Sequence, residues 1–246
     1  MKQHDIIHSN LFRNFPEIKF GFSTKQGGVS PEPFCMNLSN AVGDNPDNVN
    51  QNRKIFFDKL GIKSEQVTYQ KQIHSAIINY SSQPTHFEGC DAIYTDRKNN
   101  FLAVSVADCI PVFLYAADKK IVAGIHSGWK GTEQKILSLT IDRLKNEFDI
   151  NSEDLVAYIG PGICGEHYEV GSEVGSLFDE RVRSERNGKY YLDLKKDNYN
   201  QMIAAGLRES NIEVCGLCTY KEKKLLHSYR RDGIRSGRMF GVIGLV

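Results

Sequence analysis

Apolar positions along this chain fall mostly into short runs bounded by glycine, proline, asparagine or aspartate, a pattern of strands more than of long helices. Leu102 to Val106 and Ile121 to Ile125 are the clearest, both rich in β-branched residues, and they predict buried strands. Further strands are predicted at Gln66 to Ile73, Ala92 to Thr95, Leu155 to Ile159 and Asn211 to Val214. Helical spacing is confined to a few segments. Val49, Arg53, Phe56 and Leu60 share one face of a predicted helix from Asp47 to Leu60, which Gly61 stops. Leu137, Ile141, Leu144 and Phe148 make a single stripe on a second helix, with Thr132 as its N-cap. Shorter helices are expected near Ser172 to Phe178 and from Asp197 to Glu209. Phe20 to Leu38 reads as a turn-rich loop and Asp179 to Lys189 as a charged, solvated one. Many short strands with a few helices, and no repeat or linker, predict an α+β fold with one domain over residues 1–246.

Composition narrows the class. With 246 residues, 40% hydrophobic and 25% charged, the chain can bury a substantial core. A net charge of +1 argues against bulk attraction to nucleic acid or membranes. No apolar run approaches the roughly 20 residues that span a bilayer, and the polar start MKQHDIIHSNLF does not read as a signal peptide, so the expected location is the cytoplasm. The six cysteines are dispersed, as thiols or ligands of a reducing compartment would be. Cys215 and Cys218 form the one CxxC; without a second such pair, and following a strand, they are expected to be structural.

The chemistry gathers at the ends of the clearest strands. Cys109 follows the first run, His126 ends the second, and His74 closes the run from Gln66. Each alone is more often a structural residue, since cysteine packs as a small apolar side chain and histidine satisfies backbone carbonyls. Together they allow two chemistries. Two imidazoles and a thiolate suit zinc with a vacant position for water or substrate. Alternatively, His126 could deprotonate Cys109 for attack on an acyl carbon. The metal reading requires His74 and the thiol reading does not. Copper oxidation is the weaker option, since only seven histidines are present and no HxH pair occurs. Anion recognition has candidates in Lys130, beside the turn Ser127 to Thr132, and in Arg230 and Arg231, which lie in a stretch from Lys221 to Arg238 with seven Lys/Arg against two Asp/Glu.

The strings NLSNAVGD from Asn37, KQIHS, ADCIPV, GIHSGWKGT, GPGIC, YEVG, CTY, SYRRDG and SGRM resemble the YfiH-type laccase-domain family, over nearly the whole chain from Thr24 to Met239. That family is also described as polyphenol oxidases and as purine nucleoside phosphorylases. The resemblance implies a mixed β-sheet sandwich flanked by helices, similar to cytotoxic-necrotizing-factor-type cysteine hydrolases. It implies a Zn2+ ligand set on His74, Cys109 and His126, which are then also the catalytic residues, and substrate or phosphate contacts at Asn37, Lys130, Arg230 and Arg231. The implied reaction is phosphorolysis of adenosine, inosine and 5′-methylthioadenosine to free base and ribose 1-phosphate, with adenosine deamination as a second activity. The expected partners are purine nucleosides and phosphate, without nucleic acid or membrane, in a monomer or homodimer. Lys130 stands where arginine is usual in the family and Ser127 where alanine is common; the lysine keeps charge and loses the bidentate fork. The rival readings are a Cys-His acyl hydrolase acting on peptide or cell-wall material, a copper-dependent polyphenol oxidase, and a non-enzymatic metal-bearing interaction module.

Overall fold

In a computed structural model that describes residues 6–246, the apolar runs pair into two six-stranded sheets and a small three-stranded one. The strands are β1 (Ile6–Ile7), β2 (Ile18–Ser23), β3 (Val67–Gln70), β4 (Ile78–Tyr80), β5 (His86–Phe87), β6 (Ala92–Thr95), β7 (Phe101–Val106) and β8 (Ile110–Ala116). They continue as β9 (Ile121–Ser127), β10 (Leu155–Ile159), β11 (Glu169–Val170), β12 (Arg183–Arg186), β13 (Lys189–Leu192), β14 (Ile212–Val214) and β15 (Met239–Leu245). The α-helices are α1 (Pro46–Leu60), α2 (Trp129–Glu133), α3 (Ile136–Phe148), α4 (Ser172–Gly175), α5 (Leu194–Ala204) and α6 (Tyr229–Asp232). Among the described residues, no helix is long and apolar enough to cross a membrane.

One sheet runs β1-β2-β15-β7-β3-β5 and the other β14-β10-β8-β9-β6-β4. Side chains alternate between the two faces of a strand, and both faces are covered here, so the central strands read as continuous apolar runs. On β8, Phe113 and Tyr115 turn toward the opposite sheet, where they join Phe22, Val104 and Ile243. Their neighbours Val112 and Leu114 turn outward to Leu137, Ile141 and Leu144 of α3. The outer face of the first sheet is covered by Phe56 and Phe57 of α1, packed on Ala103 and Val242. The result is the mixed α+β sandwich expected from the sequence, with helices on both outer faces.

Several boundaries differ from the sequence reading. The segment read as a loop from Phe20 begins inside β2. β3 ends at Gln70, so His74 sits in a turn beyond the strand and does not close it. Thr132 is not the N-cap of the long helix: Gly128 caps the short α2, and α3 starts anew at Ile136 after Lys135 adopts a φ of 61°. The helix near Ser172 stops at Gly175, and α5 starts earlier than expected because Asp193 caps it by accepting from the Lys196 N–H at 3.0 Å. The charged stretch Asp179 to Lys189 contains a strand, since Asn187 and Gly188, both at positive φ, turn the hairpin that joins β12 to β13.

β7 and β8 belong to different sheets, and the turn Ala107–Cys109 carries the chain from one to the other with Asp108 at a φ of 101°. Cys109 therefore reaches His126 through the antiparallel pair β8 and β9, where Pro111 is opposite His126. This crossing places the candidate chemistry at one end of the sandwich.

Candidate metal centre

The ligand atoms of His74, Cys109 and His126 lie within 4.8 Å of one another. Cys109 Sγ is 3.8 Å from His74 Nε2, and the two imidazoles meet edge to face with centroids 4.9 Å apart. His126 is buried, Cys109 half-buried and His74 exposed, so the cluster opens outward on the His74 side.

One buried carboxylate organises it. Asp91, at the start of β6, is wholly inaccessible and accepts from His126 Nδ1 at 2.8 Å. It also accepts the N–H groups of Ile73, His74 and Ser75 at 3.2, 3.0 and 2.7 Å and the Ser75 hydroxyl at 2.8 Å. Three successive amides bound to one carboxylate hold the His74 turn, including the left-handed φ of 59° at His74, a conformation that costs on the order of 1–3 kcal/mol unless its surroundings enforce it. With Nδ1 bonded to Asp91, Nε2 of His126 is the nitrogen turned to Cys109, and on loss of its proton it would offer a lone pair to a metal, the arrangement that orients a metal-bound histidine. Burial pushes the Asp91 pKa up, but hydrogen bonds from His126 and Ser75 outweigh it and hold the carboxyl at about 2.

Electrostatics at the thiol run the same way. Burial opposes ionisation of Cys109, yet the His126 charge and hydrogen bonds from both imidazoles bring its pKa below the ordinary thiol value. Burial likewise opposes charge on His126, and Cys109 with Asp91 raises its pKa above the ordinary imidazole value. The metal-free cluster thus favours a thiolate beside an imidazolium.

Gly128 is the residue of the site that sequence reasoning treated only as part of a turn. A Cβ there would lie 2.8 Å from His74 Cδ2 and 3.1 Å from Cys109 Sγ, so the absent side chain leaves the space between the donors. Its φ of −72° is ordinary, which makes the requirement one of room. Asp108, next to Cys109 in the turn, anchors two segments. Its Oδ1 accepts from the Thr219 hydroxyl and its Oδ2 from the Arg230 N–H, each at 2.6 Å.

The expected anion contacts separate on inspection. Lys130 is exposed, two residues past Gly128, with its ammonium 5.5 Å from the Trp129 ring. The Arg230 guanidinium is exposed, lies over the Tyr168 ring and donates once, to the Glu169 carbonyl. Arg231 differs, for its guanidinium is engaged with the carbonyls of Thr219, Tyr220 and Leu226 and with Asp232, as a clasp within its own loop. Asn37 is fully buried, with its amide joined to Ser39, Asp44 and Arg238. Arg238, which was not singled out, is half-buried; burial lowers its pKa against the pull of Cys109 and Asp108, which puts its charge within reach of the cluster. The signal for it in sequence was its place in the arginine-rich stretch. Asp91 had a weaker one, an acidic residue directly before the short strand Ala92–Thr95.

Fold and site together define a mixed α+β sandwich protein with a candidate His2Cys metal centre at one end of its sheets. Residues 19–246 match the family model described as Multi-copper polyphenol oxidoreductase laccase, and the chain belongs to that family. It is 34% identical to purine nucleoside phosphorylase YlmD of Bacillus subtilis, over 95% of this chain and 90% of that protein. It is 37% identical to a purine nucleoside phosphorylase of Clostridium acetobutylicum, over 94% of both. The crystal structure of YlmD from Geobacillus stearothermophilus superposes with a TM-score of 0.93 at 30% identity, covering 100% of this chain and 97% of that one.

Proposed function

We propose that this chain is a zinc-dependent purine nucleoside phosphorylase that takes adenosine, inosine and 5′-methylthioadenosine to the free base and ribose 1-phosphate. The observation that carries the reading is the convergence of His74, Cys109 and His126 around a space kept clear by Gly128, beside exposed cationic side chains. The names of the relatives support the reaction class.

The donor set fits zinc. Two imidazoles and a thiolate match a borderline-soft cation, and Asp91 fixes one imidazole through its Nδ1, which leaves Nε2 as the nitrogen to face a metal. Among the described histidines only His74 and His126 join this cluster, whereas reduction of oxygen by several coppers needs many imidazoles. A bound divalent ion would supply positive charge to offset the negative charge that develops as the glycosidic bond breaks.

In phosphorolysis a phosphate oxygen bonds to C1′ as the C1′–N9 bond breaks, and the base leaves with a proton. In this reading Arg230 and Lys130, both exposed, bind the phosphate, and Arg238, whose charge interacts with Cys109 and Asp108, adds to the positive field. Asp108 holds the Arg230 backbone, so the turn that presents Cys109 also positions this arginine. Deamination of adenosine belongs to the same proposal as a lesser activity. Both oxygens of Asp91 and of Asp108 are already engaged, so neither is free to shuttle the proton that hydrolytic deamination moves.

A second reading has a specific observation in its favour. Cys109, His126 and Asp91 are arranged as a nucleophile, a base and an orienting carboxylate, with the thiolate favoured, which suits an acyl hydrolase. Incubation with adenosine tests the lead reading: adenine should appear with ribose 1-phosphate and only when phosphate is supplied. Equal release of adenine without phosphate would redirect the assignment to a hydrolase.

A further inference from the structure

A second group of soft donors converges away from His74, Cys109 and His126. The ligand atoms of Cys164, His167 and Cys218 also lie within 4.8 Å of one another. Cys164 and His167 follow β10, and Cys218 follows β14. The parallel pairing of these strands continues past their ends: the Cys215 N–H donates to the Ile159 carbonyl at 2.8 Å, Gly162 bridges to Cys218, and the Thr219 N–H donates to the Gly162 carbonyl at 3.2 Å. Two segments, Cys164-Gly165-Glu166-His167 and Cys215-Gly216-Leu217-Cys218, are thereby held side by side. The sequence reading set the CxxC aside because no second CxxC exists; its counterpart is a Cys-x-x-His.

The donors are arranged before any ligand arrives. Cys164 Sγ is 3.2 Å from His167 Nδ1, and the His167 ring is stacked on Tyr220 with centroids 4.8 Å apart and planes 24° from parallel. The Cys218 sulfur accepts the Cys164 N–H at 3.3 Å and further amide N–H groups from Tyr220 and Lys221. Amide donors aimed at a sulfur favour its thiolate form, the form that binds metal. Cys218 is buried, the other two are half-buried, and the two cysteines line a surface cavity of about 400 Å³. The Cys215 thiol stays apart, bonded to the buried Tyr158 hydroxyl.

We propose that Cys164, His167 and Cys218 form a second zinc site beside this cavity, which clamps the loops after β10 and β14. Two thiolates and an imidazole suit zinc, and binding releases the protons of thiols that were not already ionised. The clamp bears on the first cluster through Asp108. The Ile163 N–H donates to the Asp108 carbonyl at 2.8 Å and the Thr219 hydroxyl donates to its carboxylate at 2.6 Å, so both clamped loops grip the turn that presents Cys109.

Elemental analysis of the full chain, loaded with zinc and freed of loosely bound metal, tests the proposal independently of any enzymatic activity. About two zinc ions per chain are expected in wild type and in Cys215→Ser, and about one in Cys109→Ser, Cys164→Ser and Cys218→Ser. Cobalt(II) loaded into Cys109→Ser isolates the second site and decides the matter even if the Cys164 and Cys218 variants do not fold. Thiolate-to-cobalt charge-transfer absorption is expected there. Its absence, or recovery of Cys164 and Cys218 as a disulfide after purification under reducing conditions, would overturn the proposal.

Discussion

The Asp91 carboxylate accepts from His126 Nδ1 at 2.8 Å while it also binds the backbone N–H of His74 at 3.0 Å. One buried acid therefore sets the tautomer of one candidate ligand and the backbone of the other. Two candidate ligands distant in sequence are thereby positioned by a third residue.

Asp91→Asn tests that coupling. An amide at this position keeps the shape but loses the charge and at least one acceptor, leaving His126 poorly oriented and the His74 turn loosened. Zinc affinity measured against a competing chelator is expected to fall by roughly 10–100-fold, as it does when such outer partners are removed. Unchanged affinity would mean that Asp91 serves the fold alone.

Gly128→Ala tests the need for space. The added methyl meets His74 Cδ2 at 2.8 Å and Cys109 Sγ at 3.1 Å, so one donor must move. A core-like overpacking cost of about 1–3 kcal/mol is expected in the melting curve only if the turn cannot shift, because the His74 side is open to solvent. Metal stoichiometry and phosphorolysis should therefore fall well before stability does. Full metal binding in this variant would show that the gap is incidental.

His227 makes stability fall in acid. It is wholly buried, neither ring nitrogen has a hydrogen-bond partner, and burial, reinforced by Lys25, Arg238 and Arg231 against Asp232, pushes its pKa down to about 3. The folded pKa lies below the unfolded value of about 6.5, so the unfolded chain takes up the proton first. Stability from this group is complete above pH 6.5 and declines as pH falls toward 3, with a steepest slope of about 1.4 kcal/mol per pH unit. His227→Phe should flatten the denaturant-midpoint profile between those limits; a profile of the same slope would assign the acid sensitivity elsewhere.

His74→Ala separates the two chemistries of the first cluster. Under the metal reading, zinc binding and phosphorolysis are both lost. Under the thiol reading, Cys109, His126 and Asp91 are intact and acyl-hydrolase activity toward an activated ester survives both this substitution and chelation. Alkylation of Cys109 in the variant, followed by mass spectrometry, reports whether the thiolate persists.

Much of this arrangement could be read along the chain because the central strands are buried on both faces and so appear as unbroken apolar runs. His74, Cys109 and His126 were marked by their places at or near strand ends, and they do meet. β8 was obscured by Pro111, which discourages a central strand and here sits at its second position, in register with His126. β15 was obscured by glycines. Gly241 is needed because a Cβ would strike the Phe113 ring at 2.3 Å, an intersheet contact that local sequence does not announce. The hairpin of β12 and β13 was hidden by charge, although its Asn187-Gly188 turn was in plain view. Asp91 bonds to His126, 35 residues on in sequence, and Arg238 interacts with Cys109 and Asp108 in a different strand connection, and such pairings emerge only from the fold.

The central claim is that the His74, Cys109 and His126 cluster holds a metal on which phosphorolysis depends. Elemental analysis of wild type and Cys109→Ala, joined to an adenosine assay with and without phosphate on the same samples, tests it most directly. The account predicts that the variant loses about one metal equivalent together with phosphate-dependent adenine release. Adenine release that persists in the variant, or a metal content unchanged by the substitution, would contradict it.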